Sequence, residues 1–263
     1  MSTLTFTLLQ QALVWEDKTA NIQHFSSIIH NIHEHTEVVV LPEMFSTGFS
    51  MRPEIFAEKM DGPTVTWMRN TAAEKKIILT GSLMIEENGQ YHNRLIWMLP
   101  NGEYGYYDKK HCFGYAGEDK HYTPGSKRLI ASVKGWRINL QICYDLRFPV
   151  WARQQQHDGP EYDVLLYVAN WPERRNHAWK TLLQARAIEN QCYVIGVNRV
   201  GRDGNDIYHS GDSMVVDAMG TILYEKAHGD DVHTITLEKQ PLDDIRNKLP
   251  FLKDADPFTI HHG

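Results

Sequence analysis

Short, wholly apolar runs alternate along this chain with helical patterns and hairpin signals, and this order limits the folds that the chain can adopt. Residues 37–41 and 164–168 have the composition of strands buried on both faces of a sheet. Asn101-Gly102 lies between two alternating segments and is a strong signal for a β-hairpin. Because hairpins separate the strand–helix units, a simple parallel sheet is disfavoured. The order predicts two sheets with helices outside, an α/β four-layer α-β-β-α sandwich.

Apolar spacing places the individual elements. The predicted strands are 4–10, 37–41, 77–83, 91–99, 103–108, 129–133, 136–142, 164–168, 193–198, 213–217, 221–225 and 232–237. The predicted helices are 18–35, 61–75, 148–156, 177–190 and 243–249. Residues 250–263 form a tail without a core pattern of its own. No break in composition divides residues 1–263, so we expect a single domain.

Charge and cysteine content exclude several classes of partner. The formal charge of −6 argues against a nucleic-acid surface or an anionic membrane. No run of 18 apolar residues is present, and the first residues lack the basic segment of a signal peptide. Three cysteines do not make a disulfide framework, so a reducing cytoplasm is the expected compartment.

Metal and nucleotide sites have no sequence signal. His30, His33 and His35 lie at the end of a predicted amphipathic helix, without His-Glu-x-x-His or paired carboxylate spacing. A solvated helix face explains these histidines better than a ligand cluster. Neither of the glycine-rich motifs that bind nucleotide phosphates, Gly-x-Gly-x-x-Gly and Gly-x-x-x-x-Gly-Lys-Ser/Thr, occurs in the chain. We therefore expect no metal and no organic cofactor.

Cys143 ends an alternating strand and is followed by a turn, with Pro149 placed to open a helix. A thiol at such an elbow lies near exposed helix N–H groups, which lower a cysteine's pKa and leave it reachable. The alternative is a small buried hydrophobe, as most free cysteines are. The elbow by itself does not decide between a nucleophile and a core residue.

Three functional side chains follow three predicted strands. Glu43, Lys109 and Cys143 each come directly after an apolar or alternating run. Side chains beyond the carboxyl ends of strands converge on the ligand crevice of open α/β sheets. A carboxylate, an ammonium and a thiol together could perform acyl transfer. Each residue alone is more often a solvated residue at the sheet rim, and only their coincidence favours catalysis.

The segments that contain these residues resemble the signature blocks of the nitrilase superfamily of carbon–nitrogen hydrolases. The three blocks are Leu41-Pro42-Glu43-Met44-Phe45, Asp108-Lys109-Lys110-His111-Cys112-Phe113 and Gln141-Ile142-Cys143-Tyr144-Asp145-Leu146-Arg147-Phe148-Pro149. They occur in the family order, and the resemblance runs from the first strand to about Glu238. The omega-amidase branch is the most similar in character.

The resemblance implies a role for each matching residue. Cys143 would be the nucleophile, Glu43 the base and Lys109 the lysine of the family's Lys-x-His-Leu-Phe pattern. Lys110 would then be turned away. The chain departs from that pattern at Cys112, which could line the pocket. Glu118, before Pro124-Gly125, matches an auxiliary glutamate of some members, although simple loop solvation is the alternative.

The implied substrate is a small omega-amide of a dicarboxylate, of the 2-oxoglutaramate or succinamate type, hydrolysed through a cysteine thioester. Phe113, Tyr144 and Trp171 are the candidate substrate-binding residues. Arg174 and Arg175 could hold the remote carboxylate, or could be surface charge. Another amide, a nitrile or a carbamoyl compound stays open as substrate, as does a non-enzymatic thiol protein. The resemblance also implies a homodimer that uses residues 250–263 in packing.

Overall fold

Two mixed β-sheets lie face to face at the centre of the protein. The computed structural model describes residues 2–155 and 159–260. The strands are β1 (Thr3–Gln10), β2 (Val38–Val40), β3 (Ile78–Glu87), β4 (Gln90–Met98), β5 (Tyr104–Asp108), β6 (Leu129–Val133), β7 (Trp136–Ile142), β8 (Val164–Ala169), β9 (Tyr193–Asn198), β10 (Val200–Arg202), β11 (Tyr208–Val216), β12 (Ile222–Ala227) and β13 (Asp231–Glu238).

Each sheet combines parallel and antiparallel pairs. The first sheet has the order β13-β1-β2-β3-β4-β5, with parallel pairing only around β2. The second has the order β10-β11-β9-β8-β7-β6, with β12 also beside β11, and its parallel pairs flank β8. Hairpins contribute antiparallel pairs to both sheets, and β13 pairs antiparallel with β1, which is distant in sequence. Both sheets therefore have mixed parallel and antiparallel pairing, and neither is the simple parallel sheet that the sequence disfavoured.

Helices cover the outer faces of the sheets. The helices are α1 (Lys18–His30), α2 (Pro53–Phe56), α3 (Pro63–Lys75), α4 (Pro149–Ala152), α5 (Asn176–Asn190) and α6 (Lys239–Lys248). Phe25 of α1 and Met68 of α3 join an apolar cluster on the first sheet. On the second sheet, a Cβ on Gly196 would lie 2.6 Å from Leu183 of α5, so only glycine permits this close packing. The predicted four-layer α-β-β-α sandwich is confirmed.

The largest error in the element prediction follows the cysteine elbow. The predicted helix 148–156 is only α4, because Arg153 turns to an extended conformation and the Gln154 N–H bonds to Asn190 Oδ1 at 3.0 Å. Gln156, its predicted last residue, lies outside the described residues. Helix α1 ends at His30 rather than at 35, and α6 begins at Lys239 rather than at 243. Tertiary contacts decide these ends, and apolar spacing does not show them.

Part of the C-terminal tail packs against the rest of the same chain. Leu252, in a 3-10 turn over Phe251–Asp254, is buried, and Ile260 packs against the main core. Phe251 is 60% exposed. Part of the apolar surface that the sequence assigned to packing between subunits is therefore covered within one chain. In the described ranges no helix is both long and apolar enough to cross a membrane.

Candidate active site

Glu43 lies in a tight turn that follows β2 and is held against β3. The Leu41 N–H bonds to the Thr80 carbonyl at 2.7 Å, and the Met44 N–H bonds to Ser82 Oγ at 2.9 Å. Met44 has a φ of +44°, which turns the chain back towards the sheet. The Glu43 carboxylate is fully buried under this turn. Its position is set by backbone hydrogen bonds, so it is fixed before any substrate arrives.

Lys109 continues the line of β5 and remains hydrogen-bonded to β4. Its N–H bonds to the Asn93 carbonyl at 3.0 Å, and its carbonyl accepts the Gly125 N–H at 2.9 Å. A Cβ on Gly125 would lie 2.2 Å from the Asp108 carbonyl oxygen, so glycine is required for this approach. The Lys109 side chain is 1% exposed. Lys110, its neighbour, points instead towards the ring of Trp151, as expected for the variable position.

Two buried carboxylates share the Lys109 ammonium. Lys109 Nζ lies 2.9 Å from Glu43 Oε1 and 2.8 Å from Glu118 Oε2. Asn93 Nδ2 donates to both carboxylates, at 2.8 Å to Glu43 and 3.2 Å to Glu118. Glu118 also accepts the Phe113 N–H at 2.5 Å. The structure therefore brings Glu118 into the cluster, and solvation of a loop does not describe its surroundings.

Burial and mutual charge determine the protonation of this cluster. Burial by itself opposes the charged ammonium, but the Glu118 and Glu43 carboxylates outweigh it and hold the pKa of Lys109 well above its usual value. Burial raises the pKa of Glu118, against the opposing attraction of Lys109. A lysine that stays charged at neutral pH is suited to stabilising negative charge nearby.

Cys143 begins a 3-10 helix, Cys143–Arg147, directly after β7. Its φ of +43° is in the left-handed region, which a non-glycine residue occupies only when its surroundings enforce it. Sγ lies close enough to the Glu43 carboxylate and the Asn170 N–H for both groups to influence its pKa. The thiol is 9% exposed. Glu43, Lys109 and Cys143, which are far apart in sequence, therefore form one cluster.

The pKa of Cys143 moves opposite to the direction that its elbow predicted. Burial, followed by the charge of Glu43, raises the pKa of the thiol well above its usual value, although Lys109 acts in the other direction. The expected helix N-terminus is only a short 3-10 turn and does not offset the burial. Cys143 thus rests as a protonated thiol beside a carboxylate that can remove its proton.

A cavity of about 580 Å³ opens onto Cys143 and Lys109. Phe113, Tyr144 and Trp171, the three candidate substrate-binding residues, all line it. Phe113 and Tyr144 form an edge-on aromatic pair with ring centroids 4.9 Å apart. Glu43 and Glu118 lie behind this surface, where they contact the reactive groups but not the open space. A polar cluster below an aromatic wall is typical of a small-molecule site.

The carbon–nitrogen hydrolase family model matches residues 5–246 of the sequence. The chain belongs to the carbon–nitrogen hydrolase family. The chain is 42% identical to the omega-amidase YafV of Yersinia enterocolitica, over 99% of this chain and 100% of that protein. It is 29% identical to the 2-oxoglutaramate amidase of Bacillus subtilis, over 95% of this chain and 96% of that protein.

A solved relative has almost the same fold as this hydrolase. XC1258 of Xanthomonas campestris, a CN-hydrolase superfamily protein with an arsenic adduct in its active site, superposes with a TM-score of 0.97. The two sequences are 41% identical, and the match covers 99% of this chain and 100% of that one. Family membership together with 42% identity to an omega-amidase over nearly the full chain supports an amidase enzyme, so the interpretation as a non-enzymatic thiol protein is set aside.

Asp145, which sequence reasoning missed, joins the elbow at Cys143 to the segment that follows Lys109. The buried Asp145 carboxylate accepts the Ile142 N–H at 3.1 Å and the Tyr107 hydroxyl at 2.8 Å. It also accepts the His111 N–H at 2.9 Å and lies 2.8 Å from His111 Nδ1. One carboxylate therefore fixes the start of the turn at Cys143 relative to a residue two positions after Lys109.

Asp145→Asn is expected to destabilise the folded enzyme by about 2–3 kcal/mol. The amide that replaces one carboxylate oxygen would face N–H and O–H donors and leave buried donors unpaired. Chemical denaturation followed by circular dichroism measures the loss. Asp119→Asn, the same substitution at an exposed position, provides the control. Equal stability of the Asp145 variant and the wild type would contradict the assignment.

Cys112 is not a lining residue of the cavity, so the possibility that it lines the pocket is wrong. It packs against Met44, Met84 and Tyr122. Burial and the nearby Glu118 charge raise the pKa of Cys112 to about 12. A thiol of that pKa that is turned from the cavity is poorly suited to nucleophilic attack.

Among residues 2–155 and 159–260, no group of three or more His, Cys, Asp or Glu side chains is arranged to hold a metal ion.

Asn93 and Asn170 also contribute to the cluster and had no place in the sequence prediction. The Asn170 N–H donates to Glu43 Oε2 at 2.8 Å, and Asn170 Nδ2 donates to the Glu43 carbonyl at 2.5 Å. Asn170 directly follows β8, so the strand-end argument could have included it. Asn93 lies inside β4, and a polar residue within a strand carries no comparable signal.

Proposed function

We propose that this hydrolase cleaves the terminal amide of a small dicarboxylate monoamide, such as 2-oxoglutaramate or succinamate, to the acid and ammonia. The observation that carries the reaction type is the Glu43 carboxylate, which is paired with the Lys109 ammonium and is close enough to the Cys143 thiol to raise its pKa. Similarity to an omega-amidase over the full chain supports the substrate class. No metal or organic cofactor is required, because side chains supply the nucleophile and the acid–base group.

The first half of the reaction makes a thioester. Glu43 takes the proton of Cys143 as Sγ attacks the amide carbon, and the resulting oxyanion is held by Lys109 and the Tyr144 N–H. Tyr144 lies in the first turn of a 3-10 helix, where N–H groups lack partners within the helix. Glu43 then gives its proton to the leaving nitrogen, the C–N bond breaks, and ammonia departs.

The second half returns the thiol. Glu43 takes a proton from water, and the hydroxide attacks the thioester carbon. The C–S bond breaks, the carboxylic acid leaves, and Cys143 recovers its proton. A thiol with a raised pKa requires a base in direct contact, which is the position of Glu43. Glu118 acts as a positioning residue, because its carboxylate holds the Lys109 ammonium together with Glu43.

Ammonia release from a substrate panel tests the substrate class. We expect turnover of 2-oxoglutaramate and succinamate to exceed that of a nitrile and an N-carbamoyl amine by at least about tenfold in kcat/KM, because the omega-amidase similarity extends through the whole chain. A preference for the nitrile or the carbamoyl compound would replace the proposal with another reaction of the same family.

Acid quenching followed by intact mass measurement tests the thioester route. A substrate that accumulates the intermediate should add its acyl mass to the wild type and to Cys112→Ala, but not to Cys143→Ala. Cys112→Ala is the matched control, because it removes a nearby thiol that does not face the cavity. Acylation of Cys143→Ala would exclude Cys143 as the nucleophile.

We further propose that the enzyme is a single-domain, cytoplasmic homodimer. The free state of Cys112, Cys143 and Cys192 is compatible with a reducing compartment. Ile222 and Leu223 of β12 are 41% and 45% exposed, which offers apolar surface to a second copy. Phe251 of the tail is also exposed and would add to that contact. Sedimentation equilibrium measures the oligomeric state.

A further inference from the structure

Two half-buried arginines line the cavity, each with its guanidinium over an aromatic ring. Arg147 lies over Trp171 at 4.9 Å from the ring centroid, and Arg175 lies over Phe113 at 5.1 Å. Arg147 comes from the 3-10 turn that begins at Cys143, and Arg175 ends the 3-10 turn Glu173–Arg175. They reach the same cavity from two different elements.

Arg147 and Arg175 differ in their partners from Arg52, a further arginine of the cavity wall. Within residues 2–155 and 159–260, neither Arg147 nor Arg175 has a carboxylate partner or donates a side-chain hydrogen bond. A third arginine on the cavity wall, Arg52, is instead paired with Glu16 at 2.7 Å. A guanidinium stacked on a ring keeps its five N–H donors at its edge, where they can meet a planar anion.

The electrostatics of the cavity favour an anion between these arginines and the sulfur. Burial, followed by the charges of Arg174 and Arg147, lowers the pKa of Arg175, whereas a charge on Cys143 raises it. The guanidinium groups of Arg174 and Arg147 and the sulfur of Cys143 are therefore close enough to Arg175 to influence its pKa. Two like charges at the edge of low-dielectric surroundings are stabilised when one carboxylate accepts hydrogen bonds from both.

We propose that Arg147 and Arg175 bind the remote carboxylate of the substrate, and so select anionic amides over neutral ones. This inference rests on the proposed function, which supplies the amide end of the same molecule at Cys143. Phe113 and Trp171 serve two purposes, because they form the cavity wall and also hold the two guanidinium planes. Arg174, a second sequence candidate for this role, also lines the cavity but is exposed, and we assign it no share in the role.

Matched pairs of amides measure this selection. Succinamate and butyramide have equal chain length and differ in the terminal carboxylate, as do glutaramate and valeramide. We expect Arg175→Gln and Arg147→Gln each to lower the ratio of kcat/KM for the anionic over the neutral amide by about 10- to 100-fold, chiefly through KM. Arg137→Gln removes an exposed arginine from the other end of β7, and its ratio should equal that of the wild type.

A binding measurement separates this inference from the proposed function. Succinamate is titrated calorimetrically into Cys143→Ala, and into the same variant carrying Arg175→Gln. We expect about 10- to 100-fold weaker binding without Arg175. If wild type hydrolyses no omega-amide but this difference persists, the carboxylate site stands and the proposed reaction fails.

Two results would overturn the carboxylate site. The first is hydrolysis of omega-amides with unchanged selectivity in both arginine variants, which leaves the proposed function intact. The second is a wild type that neither turns over nor binds succinamate or glutaramate, which removes both proposals. Because Arg147 lies in the elbow turn, its variant is interpreted only if its thermal unfolding matches the wild type. If the unfolding of Arg147→Gln differs from that of the wild type, Arg175→Gln alone tests the carboxylate site.

Discussion

Glu43→Gln is expected to reduce amide turnover by about 10²–10⁴-fold while making the Cys143 thiol easier to alkylate. The two effects have opposite signs because Glu43 has two influences on the sulfur. Its charge raises the pKa of Cys143, and its carboxylate is the only proposed acceptor of the thiol proton. Glutamine removes the charge but leaves Lys109, which favours the thiolate. Steady-state kinetics and the rate of carboxamidomethylation by iodoacetamide measure the two effects.

The pH dependence of alkylation tests the direction in which Glu43 shifts the pKa of Cys143. A raised thiol pKa keeps Cys143 protonated at neutral pH, so wild-type alkylation should increase as the pH rises beyond 9. In Glu43→Gln the same increase should occur at lower pH, although burial still holds the pKa above the usual value. Cys143→Ala sets the baseline of the alkylation assay. Retention of more than a tenth of wild-type turnover by Glu43→Gln would contradict its role as base.

Lys109→Met is expected to lower kcat by about 10²–10³-fold and the free energy of unfolding by about 3–5 kcal/mol. The activity falls because an oxyanion donor is lost. Stability falls because Glu43 and Glu118 are both buried and would face each other without the ammonium that lies between them. A lysine at a solvated sheet rim would instead be expected to affect activity without lowering stability. Kinetics and chemical denaturation measure the two quantities.

A double variant separates the two roles of Lys109. Lys109→Met with Glu118→Gln removes one of the two opposed carboxylates, so it should recover part of the lost stability without recovering activity. Lys110→Met is the matched single control, because its ammonium points to Trp151 and not to the cluster. Wild-type stability in Lys109→Met would mean that the carboxylates do not depend on the ammonium. Recovery of activity in the double variant would exclude Lys109 as the oxyanion donor.

The sequence allowed the cluster's principal members to be predicted because each follows a strand that is easy to identify. Buried strands have continuous apolar runs, and a charged residue at the end of such a run is conspicuous. Glu43, Lys109 and Cys143 share that position, and the signature blocks around them fixed the family. The hairpin at Asn101-Gly102 and the mixed strand pairing were visible for a similar reason, since turn residues and alternation are local properties.

The remaining features depend on contacts between distant segments. The direction of the Cys143 pKa shift is set by burial and by Glu43, which lies 100 positions earlier in the chain. Asp145 accepts hydrogen bonds from Tyr107 and His111, and Asn93 donates to Glu43 and Glu118, so their local surroundings in sequence do not mark them. Helix α4 stops at Ala152 because the next residues bond to the end of α5. Spacing of apolar residues contains none of this information.

The reactive groups are divided between the two sheets, and that division has a consequence for inactivation. Glu43 and Lys109 extend from strands of the first sheet, whereas Cys143 and Asn170 extend from strands of the second. Sliding of one layer over the other by the length of a hydrogen bond would separate acid from sulfur while every strand kept its own ladder. We therefore expect a shift between the two sheets to abolish catalysis before it alters the secondary structure.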